Sequence, residues 1–370
     1  MLFYDKIVIR KYGGISLMNK NRAKEYVKEA LSLRLSLQNT KGLKSYEKYE
    51  GHLKDFPKSL FKYRCFNKFT IDSISNNYLY LSPAKELDDQ FECTANFDPS
   101  ITYSNEIIEK YFVEEVANMI SDYPSNFKKS EMKKLMYECL DKKSKISAKK
   151  EKIDLKSSKI KSNCSSKESK EILKIFGALI SGMWMNDKTP DIFNDLIKKA
   201  LSAKDKLGIG SLSEINTSQV MWDMYSDHYS GYCVEYDTSD DIDLKINTFP
   251  VVYGNKRQTN ILSILIGMIV EGYILNLSNN KEYTLERSLD YFYLIITKYK
   301  EWEFQKEWRI VGDAYFKFPM PKIKSIYLGK KCTCDNEKLI IKLAKELGFS
   351  VYKQKDNYVD LSIDFEKIYN

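Results

Sequence analysis

Two sets of short strand-like segments, separated by a long stretch of helical patterns, constrain the fold of this chain most. Period-two alternation or a short apolar run predicts strands at LFKYRCF, YLYLSP, GIGSLSE, GYCVEYD, FPVVYG, EFQKEWRIVG and KIKSIYLG. Helical patterns dominate from Asn105 to about Lys206 and return over residues 259–300. Strands that bracket a helical insertion predict an α+β fold with a mixed, mostly antiparallel sheet.

This pattern divides the 370 residues into parts. Residues 1–55 are predicted to be an N-terminal helical segment, 56–350 an α+β domain and 351–370 a C-terminal tail. The domain is predicted to contain a large, helical, lysine-rich insertion at 104–206. A last helix is expected at NEKLIIKLAKELGF, and Thr70 is expected to cap a short helix at TIDSISNN.

The net charge of +8 does not by itself indicate a nucleic-acid partner, because nearly all of it lies in the Ser/Lys-rich stretch 141–170. Such a stretch is typical of a solvated helix or mobile loop, and a contact with a polyanion is the alternative. Its scarcity of apolar residues predicts that it is dispensable for folding.

The remaining composition bears on the compartment. The longest apolar run begins at Ile261, carries Glu271 and is too short to span a bilayer, so no membrane partner is expected. The start of the chain does not resemble a signal peptide, and the seven cysteines are scattered. These features predict a cytoplasmic protein with reduced thiols.

Familiar catalytic motifs are absent from the sequence, which contains no Walker loop, no HExxH and no GxSxG. Two histidines, His52 and His228, are too few for a conventional histidine-rich metal centre, so no metal site is expected. His228 fits a loop histidine, with a catalytic role left open. The acids Asp88, Asp89 and Glu92 are typical of a capped turn, with cation binding as the alternative.

One strand raises a functional question. In EFQKEWRIVG, residues 303–312, period-two geometry places Gln305, Glu307 and Arg309 on one face. This pattern is found in half-exposed edge strands. It is also the arrangement that a reacting carboxylate needs, with an amide beside it to orient a nucleophile and a guanidinium to hold it ionised.

Several stretches together resemble the domain-of-unknown-function (DUF) family 2971. They are LFKYRCF, SISNNYLYLSPAKELDDQFE, SLSEINTSQVMWDMYSDHYSGYCVEYD, WEFQKEWRIV and IKSIYLGKKCT. The resemblance spans roughly residues 56–350, with the helical insertion unmatched. Asp88 and Gln90 replace the asparagine and proline of the family's turn, and Met224 stands where the family usually has histidine, so the role of that histidine is unfilled.

The order of these motifs is also similar to that of ADP-ribosyltransferases. The resemblance implies an ADP-ribosyltransferase-like fold and NAD as substrate, with transfer to a protein or nucleic-acid acceptor or hydrolysis by an NAD glycohydrolase. A bacterial toxin or anti-phage effector is the expected setting. The implied catalytic residues are Glu307 and Gln305, and the implied NAD-binding residues are Lys62, Tyr63, Arg64, Ser213, Trp222, Tyr225 and Arg309.

The chemistry behind this expectation is direct. Cleavage of the nicotinamide–ribose bond creates an oxocarbenium-like ribose, which a fixed carboxylate such as Glu307 would stabilise. Taken singly, Lys62 and Arg64 also fit a solvated strand face, and Trp222 and Tyr225 also fit a core. A non-catalytic nucleotide-sensing or partner-binding module of a defence system is the alternative function, and a nuclease is a weaker third.

Two geometric expectations separate these functions. Convergence of Arg64, Tyr225 and Glu307 on one cleft would favour the enzyme, whereas dispersal over separate surfaces would favour the binding module. The strand containing Lys62 and Arg64 is accordingly expected to lie beside residues 303–311, or to share a cleft with them.

Overall fold

The computed structural model describes residues 55–89, 189–255, 292–357 and 361–370, together with short stretches and single residues elsewhere. The lysine-rich stretch 141–170 lies outside the described residues, and so does the expectation that it is dispensable. Among the described residues, no helix has the length and apolar character needed to cross a membrane.

The described residues contain thirteen strands. In chain order they are β1 Ser59–Arg64, β2 Tyr78–Tyr80, β3 Ser82–Pro83, β4 Leu207–Ser213, β5 Tyr232–Asp237, β6 Thr248–Pro250, β7 Val252–Gly254, β8 Thr297–Tyr299, β9 Glu307–Asp313, β10 Lys317–Pro319, β11 Ile323–Leu328, β12 Ser350–Lys355 and β13 Asp364–Tyr369.

The helices connect these strands. The α-helices are α1 Lys68–Ser75, α2 Thr189–Ser202, α3 Gln219–Tyr225, α4 Ile242–Asn247 and α5 Cys334–Leu347, and the 3₁₀ helices are Ala84–Glu86, Ala203–Asp205 and Lys300–Gln305. Helix α1 begins after Asn67, whose side chain accepts hydrogen bonds from the backbone of Phe69 and Thr70. Thr70 therefore completes a capping box from inside the helix, and its prediction as the N-cap is wrong.

A nine-stranded sheet organises the described residues, in the order β13-β12-β11-β5-β1-β4-β9-β6, with β3 also paired to β4. Every pairing in it is antiparallel except that of β11 with β12. The prediction of an α+β fold with a mixed, mostly antiparallel sheet is confirmed. The segment predicted as a C-terminal tail, 351–370, contributes β12 and β13 to this sheet.

Strand register fixes which residues share a face. Phe61 lies opposite both Glu235 and Ser213, and Ser213 lies opposite Glu307. Because cross-strand partners point the same way, these four residues form one row across what we call the front face. Helix α3 covers this face, where Trp222 is fully buried in a cluster with neighbouring apolar and aromatic side chains.

The sheet opens locally between β1 and β4. Their only paired residues are Phe61 and Ser213, and the same edge of β4 is then taken by β3 at Gly208 and Ile209. The Ser211 carbonyl lies between these two attachments. We call this opening the β1/β4 gap.

Two predicted elements differ in the structure. The strand expected from residue 303 begins only at Glu307, because Lys300–Gln305 is a 3₁₀ helix that ends at Lys306 in the left-handed region (φ 43°). The helical block predicted for 259–300 ends in strand β8, which pairs with β7 in a small parallel sheet.

Two compact units divide the chain: one comprises Met1–Gln90, Lys206–Asn255 and Ile296–Asn370, the other Phe91–Asp205 and Lys256–Ile295. All the strands belong to the first unit. The predicted insertion, 104–206, overlaps the first segment of the second unit. In the predicted N-terminal segment, the described residues between 22 and 31 are helical, and Tyr26 packs edge-on against Trp308 with ring centroids 5.3 Å apart.

Candidate functional site

Glu307 lies at the centre of a buried group of polar side chains. Its Oε1 accepts a hydrogen bond from Arg309 Nε at 2.8 Å, and its Oε2 accepts from Lys298 Nζ at 3.0 Å and from Arg309 Nη2 at 3.2 Å. Lys298 Nζ also donates to Gln305 Oε1 at 2.6 Å, and Gln305 Nε2 donates to the Tyr225 hydroxyl at 2.7 Å. We call these five residues the Glu307 cluster.

Local backbone structure fixes the geometry of the cluster. The Glu307 amide donates to the Tyr253 hydroxyl at 2.8 Å, and the Glu307 carbonyl accepts from the Val251 amide at 2.9 Å. The Ser213 hydroxyl donates to the Gln305 carbonyl at 2.7 Å, which ties the end of the 3₁₀ helix to β4. Strand β9 is paired on both sides, so Glu307 has little freedom to move.

Burial and charge act in opposite directions on the Glu307 carboxyl. Burial raises its pKa, but the charges of Arg309 and Lys298, with a hydrogen bond from the Ser211 side chain, outweigh that effect and hold the pKa well below its usual range. Only 3% of the Glu307 side chain is exposed. Glu307 is therefore an ionised carboxylate held in one orientation within the protein.

Both faces of strand β9 are buried, which bears on the alternative interpretation of this segment as a half-exposed edge strand. Trp308 and Ile310 are buried on one face of β9, and Glu307 and Arg309 are buried on the other. Strand β9 also lies between β4 and β6. The half-exposed edge strand considered as an alternative is therefore wrong.

Lys62 approaches this cluster through the β1/β4 gap. Its ammonium donates to the Ser211 carbonyl at 2.8 Å, while the Ser211 side chain donates to Glu307. Burial and the nearby charge of Arg64 lower the pKa of Lys62 to about 8, against the opposing effect of Glu307. Lys62 is thus linked to Glu307 indirectly, through the backbone and side chain of Ser211.

Arg64 projects from the same face of β1 as Lys62, two residues further along the strand. It is three residues beyond Phe61 on β1, so alternation places it on the face opposite Glu307, with Tyr232 as its partner across β5. Its Nε and Nη2 atoms are buried, with no hydrogen-bond partner in the described part of the chain. Arg64 is half-buried as a residue, but leaving its two buried nitrogens unbonded is costly, and an anion would complete their hydrogen bonds.

Three of the predicted NAD-binding residues have structural roles. Trp222 is fully buried, donates through Nε1 to the Asn216 carbonyl at 2.7 Å and packs edge-on against Tyr63, with centroids 5.4 Å apart. Tyr63 donates to the Ile215 carbonyl at 3.0 Å. Ser213 bonds to the Gln305 backbone. Trp222 packs in the core in this arrangement, and its role as an NAD-binding residue stays a prediction.

The predicted site is therefore brought together in part, and the expected convergence of Arg64 with Tyr225 and Glu307 on one cleft is not found. Tyr225, Gln305, Glu307 and Arg309 form one hydrogen-bonded group, and Lys62 is linked to it through Ser211. Strands β1 and β9 are not adjacent, because β4 lies between them. Lys298 was missed, because the helical pattern assigned to 259–300 concealed a strand whose lysine points into the cluster.

A second buried glutamate occupies the same row of the front face. Glu235 accepts hydrogen bonds at 2.7–2.8 Å from Ser59, Lys324 and Tyr327. Its side chain is 6% exposed, but its lysine partner is 56% exposed. Among the described residues, no group of three or more His, Cys, Asp or Glu side chains is arranged to hold a metal ion.

His228, left open by the sequence, lies in an unusual turn. Asp227, His228 and Tyr229 all have positive φ (48°, 51° and 69°), a conformation that costs about 1–2 kcal/mol per residue. His228 Nδ1 is 2.9 Å from Asp223 Oδ1, and both side chains are largely exposed. The turn passes close to Gly231, where a Cβ would lie 2.2 Å from the Arg64 carbonyl oxygen, so only glycine fits.

Part of the chain is similar to a known protein family. Residues 221–310 match the model of a family described as "Protein of unknown function (DUF2971)". All five residues of the Glu307 cluster fall within this range, whereas Lys62 and Arg64 lie outside it. No curated protein and no solved structure matches the chain.

Proposed function

We propose that the protein consumes NAD, as an ADP-ribosyltransferase or an NAD glycohydrolase, with Glu307 as the carboxylate that stabilises the reacting ribose. The observation that carries this proposal is the Glu307 cluster: an ionised, immobile carboxylate two residues from an amide that is hydrogen-bonded to a tyrosine. A carboxylate fixed in this way is already charged and oriented when positive charge develops on a substrate.

The reaction balances without a redox partner. The bond between ribose C1′ and the nicotinamide ring nitrogen breaks, and the nitrogen keeps the electron pair, so nicotinamide leaves as a neutral molecule. An oxygen or nitrogen atom of water or an acceptor bonds to C1′ and releases a proton. Glu307 would stabilise the cationic ribose, and Gln305 would orient the nucleophile. Such an activity would suit a toxin or anti-phage effector.

The test measures nicotinamide release from labelled NAD, and transfer of the label to macromolecules of a cell lysate. Glu307→Gln is expected to slow release by about a hundredfold or more. Gln305→Ala is expected to reduce transfer more than hydrolysis. The matched control is Glu235→Gln, which also neutralises a buried, lysine-bonded glutamate of the same row and should leave the rate per folded molecule unchanged.

Melting curves of every variant separate lost chemistry from lost folding. If Glu307→Gln does not fold, Tyr225→Phe tests the same hydrogen-bonded group with a smaller change. Wild-type protein that neither binds nor cleaves NAD would contradict the proposal, and so would a folded Glu307→Gln variant as active as wild type.

A second candidate function, nucleotide binding without catalysis, is favoured by Arg64. Its buried, unpartnered Nε and Nη2 atoms suit a phosphate or pyrophosphate group. ADP at a hundred times its dissociation constant would then stabilise the fold by about 2.7 kcal/mol. Arg64→Met should abolish that stabilisation. Binding of ADP that depends on Arg64, together with no release of nicotinamide, would favour this function over the enzyme.

A further inference from the structure

The ammonium of Lys298 is surrounded by groups that attract a cation. Its ammonium lies 2.6 Å from Gln305 Oε1 and 3.0 Å from Glu307 Oε2, and 5.0 Å from the centroid of the Trp302 ring. A carboxylate, an amide oxygen and an aromatic ring are the groups that bind organic cations in proteins. The ammonium group belongs to the chain itself, but the surrounding groups would accept any compact cation.

The position is closed while Lys298 is in it. Only 8% of the Lys298 side chain and 3% of the Glu307 side chain are exposed. A substrate could not reach the Glu307 carboxylate without displacing one of its two cations.

Lys298 is the more movable of the two cations. Arg309 is fully buried in the middle of β9, which is paired with β4 and β6 in the nine-stranded sheet. Lys298 belongs to β8, a three-residue strand that pairs with β7 outside that sheet. Its ammonium is carried on a flexible four-carbon stem, whereas the rigid guanidinium of Arg309 is bonded to Glu307 through two nitrogens.

We propose that Lys298 is an internal, autoinhibitory occupant of the position that the cationic nicotinamide–ribose group takes, and that it closes the site until it is displaced. The inference rests on the proposed function for the identity of the substrate. It goes further in assigning Lys298 as a competitor for the site. Removing the ammonium should therefore open the site rather than disable it.

The experiment uses the full chain, and the probe is 1-methylnicotinamide, a pyridinium cation methylated at the ring nitrogen. Binding of the probe is measured by calorimetry. Lys298→Met is expected to bind the probe at least about tenfold more tightly than wild type, equivalent to about 1.4 kcal/mol. The matched control is Lys317→Met, since Lys317 also lies over an aromatic ring, Tyr78, and near a carboxylate, Asp72, but is exposed. The control should bind like wild type.

Melting curves accompany each measurement, and Lys298→Gln replaces Lys298→Met if the latter does not fold. A folded Lys298 variant that binds the probe no better than wild type would overturn the inference. Nicotinamide release then separates the two proposals. If Lys298→Met binds the probe more tightly but no protein cleaves NAD, the cation-binding position is supported and the NAD-consuming activity is contradicted. If wild type cleaves NAD and Lys298→Met cleaves it more slowly, the NAD-consuming activity is supported and the autoinhibitory role of Lys298 is contradicted.

Discussion

Glu307 and Glu235 occupy the same row of the sheet, are both buried and both accept hydrogen bonds from a lysine, yet their surroundings differ. Both cations of Glu307, Lys298 and Arg309, are buried with it, whereas Lys324 beside Glu235 is 56% exposed. Water weakens the attraction in the second case, and neutral hydroxyl donors complete the bonding of Glu235. The comparison shows that the burial of the counter-ion, rather than of the carboxylate alone, decides how strongly a site is fixed.

The largest difference is expected from neutralising each carboxylate. Glu307→Gln leaves two buried cations without their shared anion and should lower the free energy of unfolding by about 3–5 kcal/mol. Urea unfolding at pH 7 measures this. A loss below 1 kcal/mol would show that the buried cations relax or reach water, and the contrast with Glu235 would disappear.

Glu235→Gln is expected to cost less, about 1–3 kcal/mol, because its donors Ser59 and Tyr327 are neutral and Lys324 can remain in water. The same urea titrations provide the measurement. A cost equal to that of Glu307→Gln would mean that the exposure of the lysine does not matter.

Acid should remove the contribution of Glu307 to stability. The pKa of Glu307 is lowered in the folded protein, so its stabilisation is complete above the pKa of the unfolded chain and is lost as the pH falls through the folded value. One such group changes the unfolding free energy by at most about 1.4 kcal/mol per pH unit. Between pH 5 and pH 3, wild type should lose stability along a steeper slope than Glu307→Gln in urea titrations. Parallel slopes for the two proteins would show that Glu307 is not the source of the pH dependence.

Lys324→Met should give the smallest effect, under about 1 kcal/mol, because an exposed lysine contributes little to an ion pair. Thermal melts at low and high salt measure it, and the difference from wild type should shrink as salt is added. A larger, salt-independent loss of stability would show that Lys324 contributes as much as a buried ion-pair partner such as Lys298.

Much of the fold could be predicted from the sequence, since period-two alternation located β1, β4, β5, β9 and β11 and helical periodicity located α5. The same alternation correctly grouped Glu307 with Arg309. It could not show that their face is buried, because a charged strand face is normally solvated and only the packing around it decides otherwise. Local patterns also failed at Gln305, which reaches the cluster from a 3₁₀ helix rather than from the strand.

The residues of the candidate site could be predicted less well. Tyr225 and Gln305 were selected by resemblance, and the structure shows them hydrogen-bonded across 80 positions of sequence. Lys298 carried no signal, because an isolated lysine in an apolar, helix-like stretch is typical of a surface position. Lys62 projects from the same face of β1 as Arg64, but its ammonium reaches the Ser211 carbonyl in the β1/β4 gap, a contact that strand alternation does not predict.

The sequence by itself determined the types of the elements and the pairs of side chains that share a strand face, because these depend on neighbours a few residues away. Only the tertiary structure decided that β4 lies between β1 and β9, that Lys62 enters the gap beside it and that Lys298 joins Glu307. Strand order and the pairing of buried charges depend on how apolar faces pack across long connections, and packing determines which charges lose their water and must find partners in the protein.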